Sequence, residues 1–499
     1  MTRSILACVA ATLVSCSAAR GPTVACPVAA APPSAPALAP LPTLTAKQAL
    51  RDLRIVERAL TDLHPGLFRY ATPADFAAEM ARARAAVADG SDLGEMYLLI
   101  SRIGAAVRCG HTWTNPLNQG PAIQRELFDR ADKLPVQLRL IGDRFLITGS
   151  AVAAIAAGTE LDAIDGRAPR AIVAELLPYL RADGASDGKR RVQLDHGDDG
   201  DAMDHLYPLV HPPVAGRYAL RVRTPAGERT IEVAATTRAA RDAQLAASAA
   251  DPAWRFAIDG DTAVLTLPTF AFWQRDFAWQ RFLDDAFAQL AAKRVPYLII
   301  DQRRNEGGDS AIGDAVLAYL IRAPVTFPPR RAEVVYERAP YDVARFLDTW
   351  DFGFFDRTGH VAKGAGRNLI DTALSTAGRT IAPAAAPFGG RTFVLIGPNN
   401  SSAGFLFADA IQRTGAATLV GEPTGGNQRG LNGGELAWVT LPESGVALDI
   451  PLVAWMPPGL PPDAGIAPDL AVTPRLEEVA AGIDPVMAAA RAAIAQLRR

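Results

Sequence analysis

The chain is poor in cysteine. Cys8, Cys16, Cys26 and Cys109 are all there are in 499 residues, too few and too scattered for a disulfide framework. Histidine is nearly as scarce: His64, His111, His196, His205, His211 and His360 make up the set. His196, His205 and His211 lie in a Gly/Asp-rich stretch with Asp195, Asp198 and Asp201, but their spacing fits no compact ligand set. That stretch reads as a solvated loop, and no metal or other cofactor is expected. Charge of one sign is also lacking. Lys+Arg 51 against Asp+Glu 53 gives a net charge of −2, which offers nothing to nucleic acid or an anionic surface. No internal apolar run approaches a membrane-spanning length, and no internal repeat is evident. What remains, 49% apolar and 21% charged residues, fits a globular protein of two or three domains.

The N-terminus reads as an export signal. Arg3 precedes a short apolar stretch, Ile5 to Val14. Leu13-Val14-Ser15-Cys16 resembles a bacterial lipoprotein signal, which implies lipidation at Cys16. Residues 17–44 then form a Pro/Ala-rich, nearly uncharged tether. Such a protein would stand on the periplasmic side of a membrane, or otherwise be periplasmic or secreted.

Two segments carry the candidate chemistry. Phe393-Val394-Leu395-Ile396 reads as a buried strand, followed by the loop Gly397-Pro398-Asn399-Asn400-Ser401-Ser402 and a helical pattern from Ala403 to Arg413. A serine at a strand-to-helix turn sits beside free backbone N–H groups and the positive end of a helix dipole. That suits a nucleophile whose transition state carries an oxyanion, although serine is also a common helix N-cap. Leu298 to Gly308 is a second buried strand running into the glycine pair Gly307-Gly308. Paired glycines allow close backbone approach to a ligand; a plain tight turn is the other reading.

Together these segments resemble the tail-specific (C-terminal processing) serine peptidases, which also contain tricorn-type proteases. Asp301-Gln302-Arg303-Arg304-Asn305-Glu306-Gly307-Gly308 resembles the family's Asp-x-Arg-x-Asn-x-Gly-Gly segment. Ser402-Ala403 and the later Gly421-Glu422-Pro423-Thr424-Gly425-Gly426 resemble its nucleophile region. Counting back from Gly421-Glu422 puts the nucleophile at Ser402. The resemblance implies an oxyanion hole from the backbone N–H of Ala403 and of Gly307 or Gly308. Many members take a lysine base just after the Gly-Glu landmark. Here that position is Asn427, and no lysine follows Lys363; an asparagine is no base near neutral pH. The chain therefore resembles the tricorn-like branch, whose histidine comes from an N-terminal Gly-His-Thr element, here Gly110-His111-Thr112. The acid holding that histidine would be Asp463, just before Gly465-Ile466-Ala467-Pro468-Asp469, with Glu422 as the competitor. Cys109 reads as a small buried residue rather than a nucleophile.

The remaining patterns give an organisation. Residues 45–116 read as a helical domain that delivers His111, opened by the capping box Thr45 to Gln48 and by Thr72-Pro73. Residues 117–240 are strand-rich and resemble a PDZ domain, although 181–213 is longer than a PDZ loop. Residues 241–499 alternate strands and helices, which implies a mainly parallel α/β sheet; the resemblance implies a crotonase/ClpP-like βα spiral. The expected function is an exported serine endopeptidase acting by a Ser–His mechanism on peptides or unfolded proteins, including C-terminal tails. The alternative is a non-catalytic ligand- or peptide-binding protein on the same fold. No nucleic acid partner is expected, and the membrane contact would be the anchor at Cys16.

Overall fold

The computed structural model describes residues 38–197, 201–224, 227–245, 254–273 and 276–499. The signal segment, Cys16 and tether residues 17–37 lie outside these residues. Among the described residues no helix is long and apolar enough to cross a membrane.

Three helices come first: α1 (Ala46–Leu63), α2 (Pro73–Ala86) and α3 (Leu93–Ala106). Each begins where local chemistry says it should. Thr45, Thr72 and Asp92 each accept from the amide three residues on, and each closes a capping box. Along α1, Leu53, Val56, Leu60 and Leu63 are all fully buried, the one-sided stripe expected of an amphipathic helix. Just beyond α3, Arg108 takes a positive φ of 58°, and the chain turns into the segment that carries His111.

A five-stranded antiparallel sheet follows: β1 (Val136–Ile141), β2 (Arg144–Ser150), β3 (Glu160–Ile164), β4 (Arg217–Thr224) and β5 (Gly227–Ala234), paired in chain order. Helix α4 (Pro169–Leu176) lies between β3 and β4 in the chain. The segment after α4 corrects the expectation of a solvated loop. It holds short helices at Asp187–Val192, Ala202–His205 and Tyr207–Val210, and Asp183, Lys189, Arg190, Gln193, Asp204 and His205 are buried. Several of its polar side chains find partners inside the protein. His196 Nδ1 accepts from the Leu138 amide at 2.9 Å, and Arg241 grips Asp204 at 2.7 and 2.8 Å. A polar sequence marks exposure only when its partners are water.

The third unit is a six-stranded sheet built on β6 (Arg255–Asp259), β7 (Thr262–Thr266), β8 (Tyr297–Asp301), β9 (Arg391–Ile396), β10 (Thr418–Gly421) and, beyond the hairpin β11 (Leu436–Thr440)/β12 (Ala447–Pro451), β13 (Leu470–Ala471). The order is β13-β10-β9-β8-β7-β6. Every pairing is parallel except β6 with β7. Alternate residues of β8 explain the burial of both faces. Leu298 and Ile300 pack with α5 (Trp279–Ala292), α6 (Ser310–Leu320) and α7 (Ser402–Thr414), while Ile299 joins Val486, Ala490 and Ile494 of α8 (Pro485–Leu497). A parallel sheet covered on both faces needs such continuous apolar strands. In register, Asp301 lies opposite Leu395 and Ile396 opposite Gly421, so the loops after β8, β9 and β10 emerge together.

Candidate active site

Ser402 opens α7 close after β9. Its φ is +47°, the left-handed region that costs a non-glycine residue about 1–3 kcal/mol. Ser401, the N-cap before it, is buried and its hydroxyl donates to the Glu306 carbonyl at 3.1 Å. Ser402 instead lines a cavity of about 320 Å³. Of the two serines, Ser402 faces open space. The loop that presents it is held from within by Asn400, which is fully buried. Its side chain donates to the carbonyls of Gln302 and Asn305 at 2.5 and 3.1 Å, and accepts from the Gly397 amide at 2.9 Å. Its own carbonyl receives the amides of Gly425 and Gly426, both at 2.9 Å.

The glycine pair divides its work. Gly307 donates its amide to Asn305 Oδ1 at 2.9 Å, so it is not available as the oxyanion donor expected of it. Its role is proximity: a Cβ there would lie 2.8 Å from both the Ala403 amide nitrogen and Ser402 Cβ. Among the described residues the amides of Gly308 and Ala403 have no protein acceptor. Both residues border the cavity with Ser402. Two free N–H groups beside a hydroxyl are what an oxyanion site requires.

His111 is anchored from several sides. His64 Nε2 meets Thr112 Oγ1 at 2.9 Å. Tyr97 donates to the Thr114 carbonyl at 2.8 Å. Asp449 of β12 pairs with the Trp113 backbone and receives Asn115 and Asn118, each at 2.8 Å. The Gly110 amide donates to Asp183 at 2.8 Å, and the Gly110 carbonyl accepts from Arg181 at 2.6 Å. The imidazole lies against Gly433, where a Cβ would sit 3.4 Å from its Cε1. The next residue, Gly434, borders the cavity of Ser402. No hydrogen bond joins Ser402 to His111, and His111 Nδ1 is buried without a partner. Burial, with the Arg181 cation second, brings His111 down to about 4, while Glu306 pulls the other way. The ring is therefore neutral at ordinary pH, the form a general base needs. Cys109 is buried, and burial pushes its thiol up to about 11, which removes it as a nucleophile.

The expected acid is engaged elsewhere. Asp463 Oδ1 accepts from Asn427 Nδ2 at 2.7 Å and from the Ala185 amide at 2.9 Å, and Oδ2 lies 3.6 Å from Arg429. The hydrogen bond from Asp463 to His111 implied by the resemblance is not formed, because both carboxylate oxygens face the turn at 183–185 and the loop at 427–429. Asn427, at the position of the family's lysine, is buried and ties Asp463 to the Asp183 carbonyl at 3.3 Å. Glu422 points away too. Burial raises its carboxyl, and the cation acting on it is Arg139.

Sequence reasoning missed Glu306. It immediately precedes the glycine pair, pairs with Lys189, and meets Arg181 at 3.2 Å. Burial alone would raise its carboxyl, but Lys189 and Arg181 outweigh that and hold it down to about 2. It is the carboxylate acting on His111. The available signal was an acid placed in a loop otherwise built for backbone approach.

Residues 261–472, which contain the nucleophile turn and the glycine pair, match the model of peptidase family S41. Over that segment the chain is similar to the S41 peptidases, and the match supports a serine peptidase. Among solved structures, a serine-to-alanine mutant of CPAF is similar at TM-score 0.62 and 15% identity, over 87% of this chain and 94% of that one. Mature CPAF complexed with lactacystin is similar at TM-score 0.59 and 15% identity, over 87% of this chain and 95% of that one. At that identity the likeness is one of fold. No curated protein matches the chain.

Proposed function

We propose that the protein cleaves peptide bonds by a Ser–His mechanism. Ser402 Oγ attacks the peptide carbonyl carbon, and the oxyanion forms facing the amides of Gly308 and Ala403. His111 accepts the Ser402 proton through Nε2, since Nδ1 is enclosed, and returns it to the leaving nitrogen. Water then attacks the acyl-enzyme with His111 again taking the proton. Asp463 is a positioning residue in this scheme, acting through Asn427 and the 183–185 turn. The observation that carries the reading is a serine held at positive φ at the edge of a cavity, with two free amides beside it.

Labelling with a fluorophosphonate tests it. The wild type should be modified on Ser402, Ser402→Ala should not be, and His111→Ala should react far more slowly. A folded wild type left unmodified would sink the reading and favour a binding protein on this fold.

The remaining expectations belong to the same proposal. Consecutive parallel strands in one sheet support a crotonase/ClpP-like core. The antiparallel sheet with α4 between β3 and β4 supports a PDZ-like unit. The N-terminal sequence supports export and lipidation at Cys16, with peptides or unfolded proteins, including their C-terminal tails, as substrates. Intact-mass analysis of the mature protein should find diacylglycerol on Cys16; an unmodified N-terminus elsewhere would exclude the anchor.

A further inference from the structure

The cavity beside Ser402 carries a charge pattern of its own. Its walls include the apolar side chains of Phe327, Leu406, Leu431 and Trp455, and two arginines, Arg330 and Arg379, also face it. Arg379 is partly committed. It meets Asp314 of α6 at 3.0 Å and lies over the Phe327 ring at 4.9 Å, but its buried Nε has no partner. Arg330 has neither an ion pair nor a side-chain hydrogen bond among the described residues. The other charges acting on Arg330 are Asp409 and Arg413, which pair with each other at 2.8 Å. Two cations thus face Asp314 alone, and one positive charge is left uncompensated in a half-apolar cavity next to the nucleophile.

An uncompensated guanidinium in such a place is costly unless something anionic joins it. The planar donor fork of arginine matches a carboxylate in two-point geometry. Leu406 and Trp455 offer apolar surface to the stem of such a group. A lysine or arginine of the substrate would meet like charge there, and a purely aliphatic side chain would leave the half-buried Arg330 unanswered.

We propose that this cavity is a substrate subsite for a carboxylate placed beside the scissile bond, with Arg330 as its chief ligand and the free Nε of Arg379 as the second donor. The assignment rests on Ser402 being the nucleophile. The carboxylate could belong to an aspartate or glutamate side chain, or to the C-terminus of a peptide cut close to its end.

Binding to the inert Ser402→Ala protein tests the subsite without needing turnover. Three fluorescent peptides suffice: one with an internal glutamate and an amidated end, its glutamine counterpart, and the glutamine peptide with a free C-terminus. One of the two carboxylate peptides should bind roughly tenfold or more tighter than the amidated glutamine peptide, as expected for one charge-assisted contact. Which one does so identifies the source. The preference should vanish in Ser402→Ala carrying Arg330→Gln. Arg379→Gln is the weaker variant, since it also releases Asp314. Equal binding of all three, or no binding at all, would overturn the proposal. Cleavage-site profiling of the active protein separates the two readings. Turnover without acidic preference ends the subsite and leaves the peptidase. Carboxylate-selective binding without turnover does the reverse.

Discussion

Arg181 reaches Glu306 at 3.2 Å across the seam between the segment after α4 and the glycine loop of the catalytic sheet. The same guanidinium donates to the Gly110 carbonyl at 2.6 Å and lies over the Trp113 ring at 3.7 Å. One side chain thus joins the residues on either side of His111 to the residue that precedes the glycine pair. The proposed base and nucleophile come from distant parts of the chain, and this contact links the segment of one to the loop beside the other.

Replacing Arg181 should therefore do two things. Losing the tether lets the His111 segment drift relative to Ser402, and a displacement of an ångström can cost roughly 10²-fold in rate. Losing the cation also shifts the titration. Burial and Arg181 lower His111 to about 4, Lys189 adds to the lowering, and Glu306 opposes it. The base works only when neutral, so in the wild type the acid limb of kcat/KM should fall near that value rather than near the usual 6.5. Without the Arg181 charge the protonated imidazole is less disfavoured, its pKa rises, and the limb moves to higher pH. Glu306 is held down to about 2 in the wild type, and in the variant Lys189, the larger of the two cations acting on it, still favours its ionised form. Kinetic profiles of wild type and Arg181→Gln check this. A lower rate with an unmoved limb would reduce Arg181 to a structural tether.

His111 and Asn427 give opposite forecasts. His111→Ala should lower kcat by at least ~10²–10⁴-fold, the range for losing general-base transfer. Asn427→Ala should be much milder, because its side chain links Asp463 to the Asp183 carbonyl and accepts from the Arg429 amide without reaching His111 or Ser402. Steady-state rates on one peptide suffice; a silent His111 variant would remove it as the base.

Gly307→Ala should be severe although the residue donates nothing to the oxyanion. The new methyl would stand 2.8 Å from the Ala403 nitrogen, where the oxyanion must sit, and its φ of +125° suits no other residue. Loss of one oxyanion donor costs about 10²–10³-fold in kcat. A folded Gly307→Ala protein that cleaves normally and labels normally would show that Ala403 N–H is not a donor.

These variants also show how far the sequence could lead. The capping box at Thr45, the helix start at Thr72-Pro73 and the buried runs of β8 and β9 were readable because each is decided within a few residues. Ser402 was separable from Ser401 by its distance from Gly421-Glu422, and in the structure it is Ser402 that takes a positive φ and borders the cavity. The choice between Gly307 and Gly308 needed the Asn305 side chain in place. Lys189 and Arg181 were hidden for a different reason. Their segment is polar, and polarity does not say whether the partner is water or a buried Glu306. Asp463 was found by position in a motif, but motif position does not fix which way a carboxylate points.

Asp463 is where the structure changes the forecast. A carboxylate bonded directly to the imidazole would make Asp463→Asn cost on the order of 10⁴-fold, because the wrong tautomer would be held. Here Oδ1 serves as an acceptor for the Ala185 amide and for Asn427. An asparagine keeps that oxygen and loses only the 3.6 Å contact to Arg429, so the expected loss is within about tenfold. Asp463→Ala removes the acceptor altogether. The turn that follows Asp183 is then free to shift, and Asp183 is the acceptor for the Gly110 amide next to His111 at 2.8 Å. The loss should be larger, roughly 10²-fold, and should appear in kcat with little change in KM. The acid limb should stay where it is in both variants, because neither changes a charge acting on His111. A severe asparagine variant with a displaced limb would mean that Asp463 swings onto His111 during turnover, and the positioning role described here would be wrong.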